Sequence, residues 1–182
     1  MKNNKKIQWI TRTAVLIALL IAVQWASAFT QAFAGQYITG SLVNCVLAVA
    51  VLFGGVWSGV TVALVSPFCA FLLGIGPKLV QIVPCIAVGN TVYILVLWLL
   101  LGRKSQSVWL QAAGVLAAAA AKFLTLYAAV VKIVIPVMGD ALKAPQVQTF
   151  TAMFSWPQLV TALIGGTVAL LIMPVLRRAI KQ

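Results

Sequence analysis

Lys122 is the residue of this sequence that most needs a chemical explanation. It follows the alanine run at 117–121 and precedes Phe123 and Leu124, so a cation stands inside apolar sequence. In hydrocarbon a lysine costs about 2.5–3.5 kcal/mol on insertion scales and must find a partner, water or a function. The chain has one carboxylate, Asp140, and no glutamate or histidine. Asp140 stands close in sequence to Lys143, at i+3, and far from Lys122. The chemistry open to Lys122 is therefore recognition of an anionic or strongly electron-rich group. Thr125 and Lys132 follow it at i+3 and i+10, near one helical face. The competing explanation is snorkelling, in which the stem lifts the ammonium to the interface. That explanation suits Lys132 better than the deeper Lys122.

Uncharged polar residues gather around the same level. Gln24 lies high in the first apolar stretch, and Gln31, Gln36, Tyr37 and Thr39 fall in the polar segment after it. Asn44 starts the second stretch and Gln81 the fourth, where Asn90 sits mid-way with Tyr93 a turn on. Tyr127 follows Lys122 in the fifth, and Trp156 with Gln158 opens the sixth. Each has an ordinary reading: a helix cap for Gln158, an interhelical bond for Asn90, an interfacial belt for Tyr and Trp. Their shared bias to one side fits a small-molecule site with apolar walls and a few convergent polar groups. The candidate substrate contacts are Lys122, Asn90, Tyr127, Thr125, Gln36, Tyr37, Asn44, Gln81, Lys132, Trp156 and Gln158.

The composition removes other chemistries. Without histidine and with one carboxylate, no metal site of hard or imidazole ligands can be assembled. A Ser-His protease lacks its parts, no nucleophile–base pair is present, and no Gly-rich loop ends in Lys-Ser/Thr for a P-loop. Cys45, Cys69 and Cys85 lie in apolar runs with no metal or redox spacing and read as packing residues. The net charge of +12 does not imply nucleic acid, because most basic residues flank apolar stretches, where they face anionic lipid.

The elements that must hold these side chains are membrane helices. The hydrophobic fraction is 63% and mean hydropathy is +1.10. About six apolar stretches approach the ~20 residues that cross a bilayer. The spans are expected at about 8–29, 41–53, 56–73, 79–101, 108–135 and 155–176, forming a single integral membrane domain. Gly54-Gly55 breaks the second from the third, and Gly74-Ile75-Gly76-Pro77 makes a turn with Pro77 opening the next helix. Pro84 is placed to kink the fourth span, and Pro136 to close the fifth. Polar loops are expected at 30–40 and 137–151, and Ser155-Trp156-Pro157-Gln158 reads as a capping box. Continuous membrane sequence after the first run argues against a cleavable signal.

Lysine and arginine placement sets direction. Lys2, Lys5, Lys6 and Arg12, then Arg103 and Lys104, then Arg177, Arg178 and Lys181 make up nine of the 13 basic residues. Six spans bring all three groups to one side, with both termini cytoplasmic. Lys78, Lys122, Lys132 and Lys143 then belong to the outer half or outer surface.

The first span carries Ala14, Ala18, Ala22 and Ala26 at i+4 spacing, a smooth face for close helix approach. This stripe follows a basic N-terminus and lies within Arg-Thr-Ala-Val-Leu-Ile-Ala-Leu-Leu-Ile-Ala. With six spans in 182 residues, the whole pattern resembles the substrate-binding S components of energy-coupling factor (ECF) vitamin transporters. The stretch from Gly35 to Asn44 is similar to that family's first outer loop entering helix two, a lid. The resemblance implies docking of a transmembrane T subunit on Ala14, Ala18 and Ala22, with two ATPase subunits as further partners. It implies capture of a vitamin or micronutrient on the outer face of a prokaryotic cell membrane, toppling in the membrane, and release inside. No cofactor or enzymatic activity is implied. The lysine argument adds a preference for an anionic ligand.

Two rivals have discriminators. A stand-alone secondary transporter would take up substrate in a host lacking T and ATPase subunits. Its proton coupling would ordinarily need intramembrane Asp, Glu or His, which leaves sodium coupling through backbone carbonyls. A membrane assembly factor or lipid-binding protein would need no deep outer pocket, and Lys122 would face a partner or headgroup.

Overall fold

The computed structural model describes residues 2–28, 35–77, 79–102 and 107–180. All regular structure among them is helical. Burial is inverted relative to a water-soluble fold. Trp109, Leu72 and Val137 are 80–85% exposed, while Thr13, Gln24, Asn44, Ser58, Ser66, Asn90, Lys122 and Thr161 are buried. Large apolar side chains on the outside and polar ones within suit a lipid solvent. The protein is an all-α, multi-pass membrane protein. Five helical stretches among the described residues are long and apolar enough to cross a bilayer, and α3 is a shorter apolar helix.

Helix α1 runs Lys2–Ala28 and α2 runs Gly35–Gly54. The described part of the expected polar loop at 30–40 is therefore helix. Gln36, Tyr37 and Thr39 stand on the first turns of α2, where a polar side chain can sit without breaking the backbone ladder. Gly55 separates α2 from α3 (Val56–Leu72), at φ +88, a conformation that favours glycine. Helix α4 runs Ile82–Leu101. Pro77 thus precedes the helix by a turn, and Pro84 falls in its first turn, where a missing N–H breaks no ladder bond. The expected kink has no cause there.

Helix α5 runs Val108–Leu126 and passes directly into a π-helical stretch, Tyr127–Val134, then α6, Ile135–Met138. Pro136 does not close the rod as expected: the π-helical stretch passes directly into α6, which carries the proline at its start. A 3-10 turn, Gly139–Ala141, leads to α7, Ala144–Met153. The expected loop at 137–151 therefore contains a helix, with Pro145 in its first turn and Gln146 Oε1 accepting from the Lys143 N–H at 2.9 Å. Helix α8 runs Trp156–Ile180. The expected capping box is absent: the Ser155 hydroxyl donates back to the Ala152 carbonyl (3.0 Å), and Gln158 Nε2 to Met153 (3.0 Å).

Helices α1 and α3 run parallel, meeting at two levels. Thr13 Oγ1 and Ser58 Oγ lie 2.8 Å apart near one end, where the Arg12 guanidinium also stands 5.2 Å over the Phe53 ring. Gln24 meets Ser66 toward the other end. Two apolar clusters result. One gathers Leu20, Leu47, Val62, Tyr93, Leu97 and Ala119 among others; the second gathers Ile82, Leu126, Val130, Leu142, Phe150 and Phe154. Along α4, Asn90 falls between Ile82 and Tyr93; along α5, Lys122 falls between Ala119 and Leu126. The buried cation thus occupies the seam between the clusters.

Candidate functional site

A cavity of about 190 Å³ opens at that seam, walled by residues of α1, α2, α3, α4, α5, α7 and α8. Apolar surface comes from Val43, Phe71, Ile75, Val83, Ile86 and Phe154, and polar groups from Gln24, Gln36, Thr39, Asn44, Ser66, Asn90, Lys122, Gln158 and Thr161. Among the described residues of the wall, Lys122 carries the sole charge.

Lys122 is 3% exposed. Its Nζ donates to Asn44 Oδ1 at 2.6 Å and to Asn90 Oδ1 at 2.7 Å, joining α5 to α2 and α4. An ammonium has three donors and no acceptor, so it fixes both amides with oxygen inward. Asn44 Nδ2 in turn donates to Thr161 Oγ1 on α8 at 3.4 Å. Tyr93 presents its ring face 5.5 Å from Nζ, while its hydroxyl donates to the Ala162 carbonyl at 3.1 Å. Neutral dipoles and a π face thus solvate the cation. Two amide oxygens take two of its protons, and an anion in the cavity could take the third.

At another wall, Gln24 of α1 is 2% exposed, and its Nε2 donates to the Ser66 carbonyl (3.0 Å) and Oγ (3.2 Å). Gln24 Oε1 and Thr39 Oγ1 are buried without a hydrogen-bond partner. Near the α7 end, Gln36 Nε2 and Gln158 Nε2 both donate to the Met153 carbonyl, at 2.8 and 3.0 Å. Those two bonds tie α2 and α8 to the last turn of α7.

Of the sequence-derived contacts, Lys122, Asn90, Asn44, Gln36 and Gln158 share this cavity. The other six stand outside its wall. Thr125 donates to its own helix at Ala121 (2.8 Å), and Gln81 is exposed just before α4. The exposed Lys132 lies 5.7 Å over the Tyr127 ring, which also packs on Phe123. An α-helical count does not carry through the π turns, so i+10 does not return Lys132 to the face of Lys122. Trp156 and Tyr37 pack on each other, ring centroids 6.0 Å apart. Lys78, Gln31 and the Asp140 side chain lie outside the described residues. Ser66 and Thr161 were not legible as site residues, because hydroxyls in spans commonly satisfy themselves on their own helix. Ala14, Ala18, Ala22 and Ala26 are all exposed, on the side of α1 away from its buried Thr13, Leu16, Leu20 and Gln24.

The family model for the substrate-specific component of ECF transporters matches residues 8–177. No curated protein and no solved structure matches the chain.

Proposed function

We propose, from the premise that this chain belongs to the family of ECF transporter substrate-specific components, that it captures a small anionic micronutrient in the Lys122 cavity for ATP-driven uptake. Members of that family are transport subunits and not enzymes. The single observation that carries the anionic reading is the buried Lys122 ammonium, held by two neutral amide oxygens with no carboxylate in the described cavity wall. Truly apolar or cationic cargo would leave that charge uncompensated, whereas a carboxylate or similar group would pair with it in a low-dielectric setting. The substrate contacts in this reading are Lys122, Asn90, Asn44, Gln36 and Gln158.

Family membership supports the following transport cycle. The chain sits in a prokaryotic cell membrane with six spans, α3 included, and both termini inside. The cavity then faces outward, since Arg12, Arg177 and Arg178 lie at the opposite end of the helices. The exposed alanines of α1 supply the docking face for a T subunit, which two ATPase subunits energise. Native mass spectrometry of protein purified gently from cells in rich medium tests the substrate reading. A bound small anion is the expected result, while a bound cation or a lipid alone would refute it. Uptake of the identified compound with and without T and ATPase subunits tests the energetics. Equal uptake in both hosts would replace this mechanism with secondary transport.

A further inference from the structure

Gln24 carries information about the substrate that Lys122 does not. Its amide orientation is forced. The Ser66 carbonyl oxygen can only accept, so the Gln24 group that faces it at 3.0 Å must be the Nε2 donor, and Oε1 must point the other way. That oxygen is buried and has no partner, on a residue that lines the cavity. A buried acceptor left unpaired bears a desolvation penalty that a bound donor would remove. Thr39 Oγ1, on α2 and in the same wall, is likewise without a partner.

The two walls therefore differ in sign. Lys122 is donor-only. Asn90 adds to that character, since its Oδ1 is committed to the ammonium and its Nδ2 has no acceptor among the described residues. Where α1 meets α3, by contrast, the unpartnered group is an oxygen that can only accept. We infer that the substrate is a small bifunctional molecule: an anionic group at Lys122, and an N–H or O–H donor read by Gln24 Oε1. Gln24 is then a specificity-determining residue that discriminates by hydrogen bonding rather than size. Sites built to bond a donor reject isosteres that lack it far more strongly than apolar pockets reject a methylene.

This inference rests on the cavity's being the substrate site, and its test separates the two. Purified protein in detergent is titrated by thermal shift and calorimetry with matched aromatic acids of nearly equal shape. The pairs are para-hydroxybenzoate with para-fluorobenzoate, pyrrole carboxylate with furan carboxylate, and indole carboxylate with benzofuran carboxylate. The expected result is binding of at least one donor-bearing acid, its isostere being at least about tenfold weaker. In Gln24→Met that ratio falls to within about threefold. The ligand-side comparison uses unaltered protein, so it holds whether or not Gln24→Met folds. Equal binding of donor-bearing and donor-free acids would overturn the role of Gln24, while loss of both in Lys122→Met would keep the anion reading. Failure of every acid to bind would overturn both.

Discussion

Gly165 on α8 lies so close to Asn44 on α2 that an added Cβ would stand 2.6 Å from the asparagine Cβ and 2.5 Å from the Ser41 carbonyl oxygen. That approach seats Asn44 where its amide can bridge Lys122 and Thr161. A methyl group at 165 would have to push backbone away, and overpacking of this kind costs about 1–3 kcal/mol. Gly165→Ala is expected to lower the thermal midpoint in detergent and to weaken anion binding together. Gly76→Ala serves as control for the midpoint alone, since Gly76 itself lines the cavity while a Cβ there meets Ala70 at an ordinary 3.7 Å. Equal midpoints for the two variants would remove the claim that this contact shapes the site.

Lys122 and Asn90 should behave as one unit. Lys122→Ala is expected to weaken binding of the substrate by at least about tenfold while the protein stays folded. Asn90→Leu should also weaken binding, and the double variant should lose less than the sum, with a coupling of about 0.5–3 kcal/mol. Calorimetry on the four proteins measures this. Strict additivity would mean that the 2.7 Å bond between them does not position the cation for its ligand.

The cation was the most legible feature of the chain, because a charge in an apolar run has few explanations. Asn44 and Asn90 were legible for a related reason: amides in lipid need partners. The partners themselves were not, since a pattern along one helix holds no register between helices, and Ser66 and Thr161 look like ordinary hydroxyls of a span. The multi-pass helical architecture followed from hydropathy. Element ends did not, where polarity and helicity part company. The first turns of α2 and all of α7 are polar helices that composition alone reads as loops. The π stretch at Tyr127–Val134 left no mark in residue type at all, and across it the α-helical count from Lys122 to Lys132 fails.

The alanine face of α1 yields a prediction of the opposite character to those for the cavity. Ala14 and Ala18 are exposed, and neither lines the cavity. Ala14→Trp and Ala18→Trp are expected to leave substrate affinity within about twofold while abolishing uptake and co-purification of T and ATPase subunits. A large side chain blocks the close approach that small residues allow. Unchanged uptake in both variants would eliminate this face as the docking surface.

Direction in the membrane is open to a chemical test on exposed positions at the two ends of the bundle. Lys143 precedes α7, beside the cavity end, whereas Arg177 lies in the last turns of α8. Both are exposed. The native thiols Cys45, Cys69 and Cys85 are free, so they are first replaced by alanine. A membrane-impermeant maleimide applied to intact cells should then label Lys143→Cys, and should label Arg177→Cys only after permeabilisation. Lysine and arginine at the Arg12 and Arg177 end favour that orientation through their retention on the cytoplasmic side. The reverse labelling pattern would put the cavity mouth inside. Capture from outside would then be impossible for this chain, whatever its substrate.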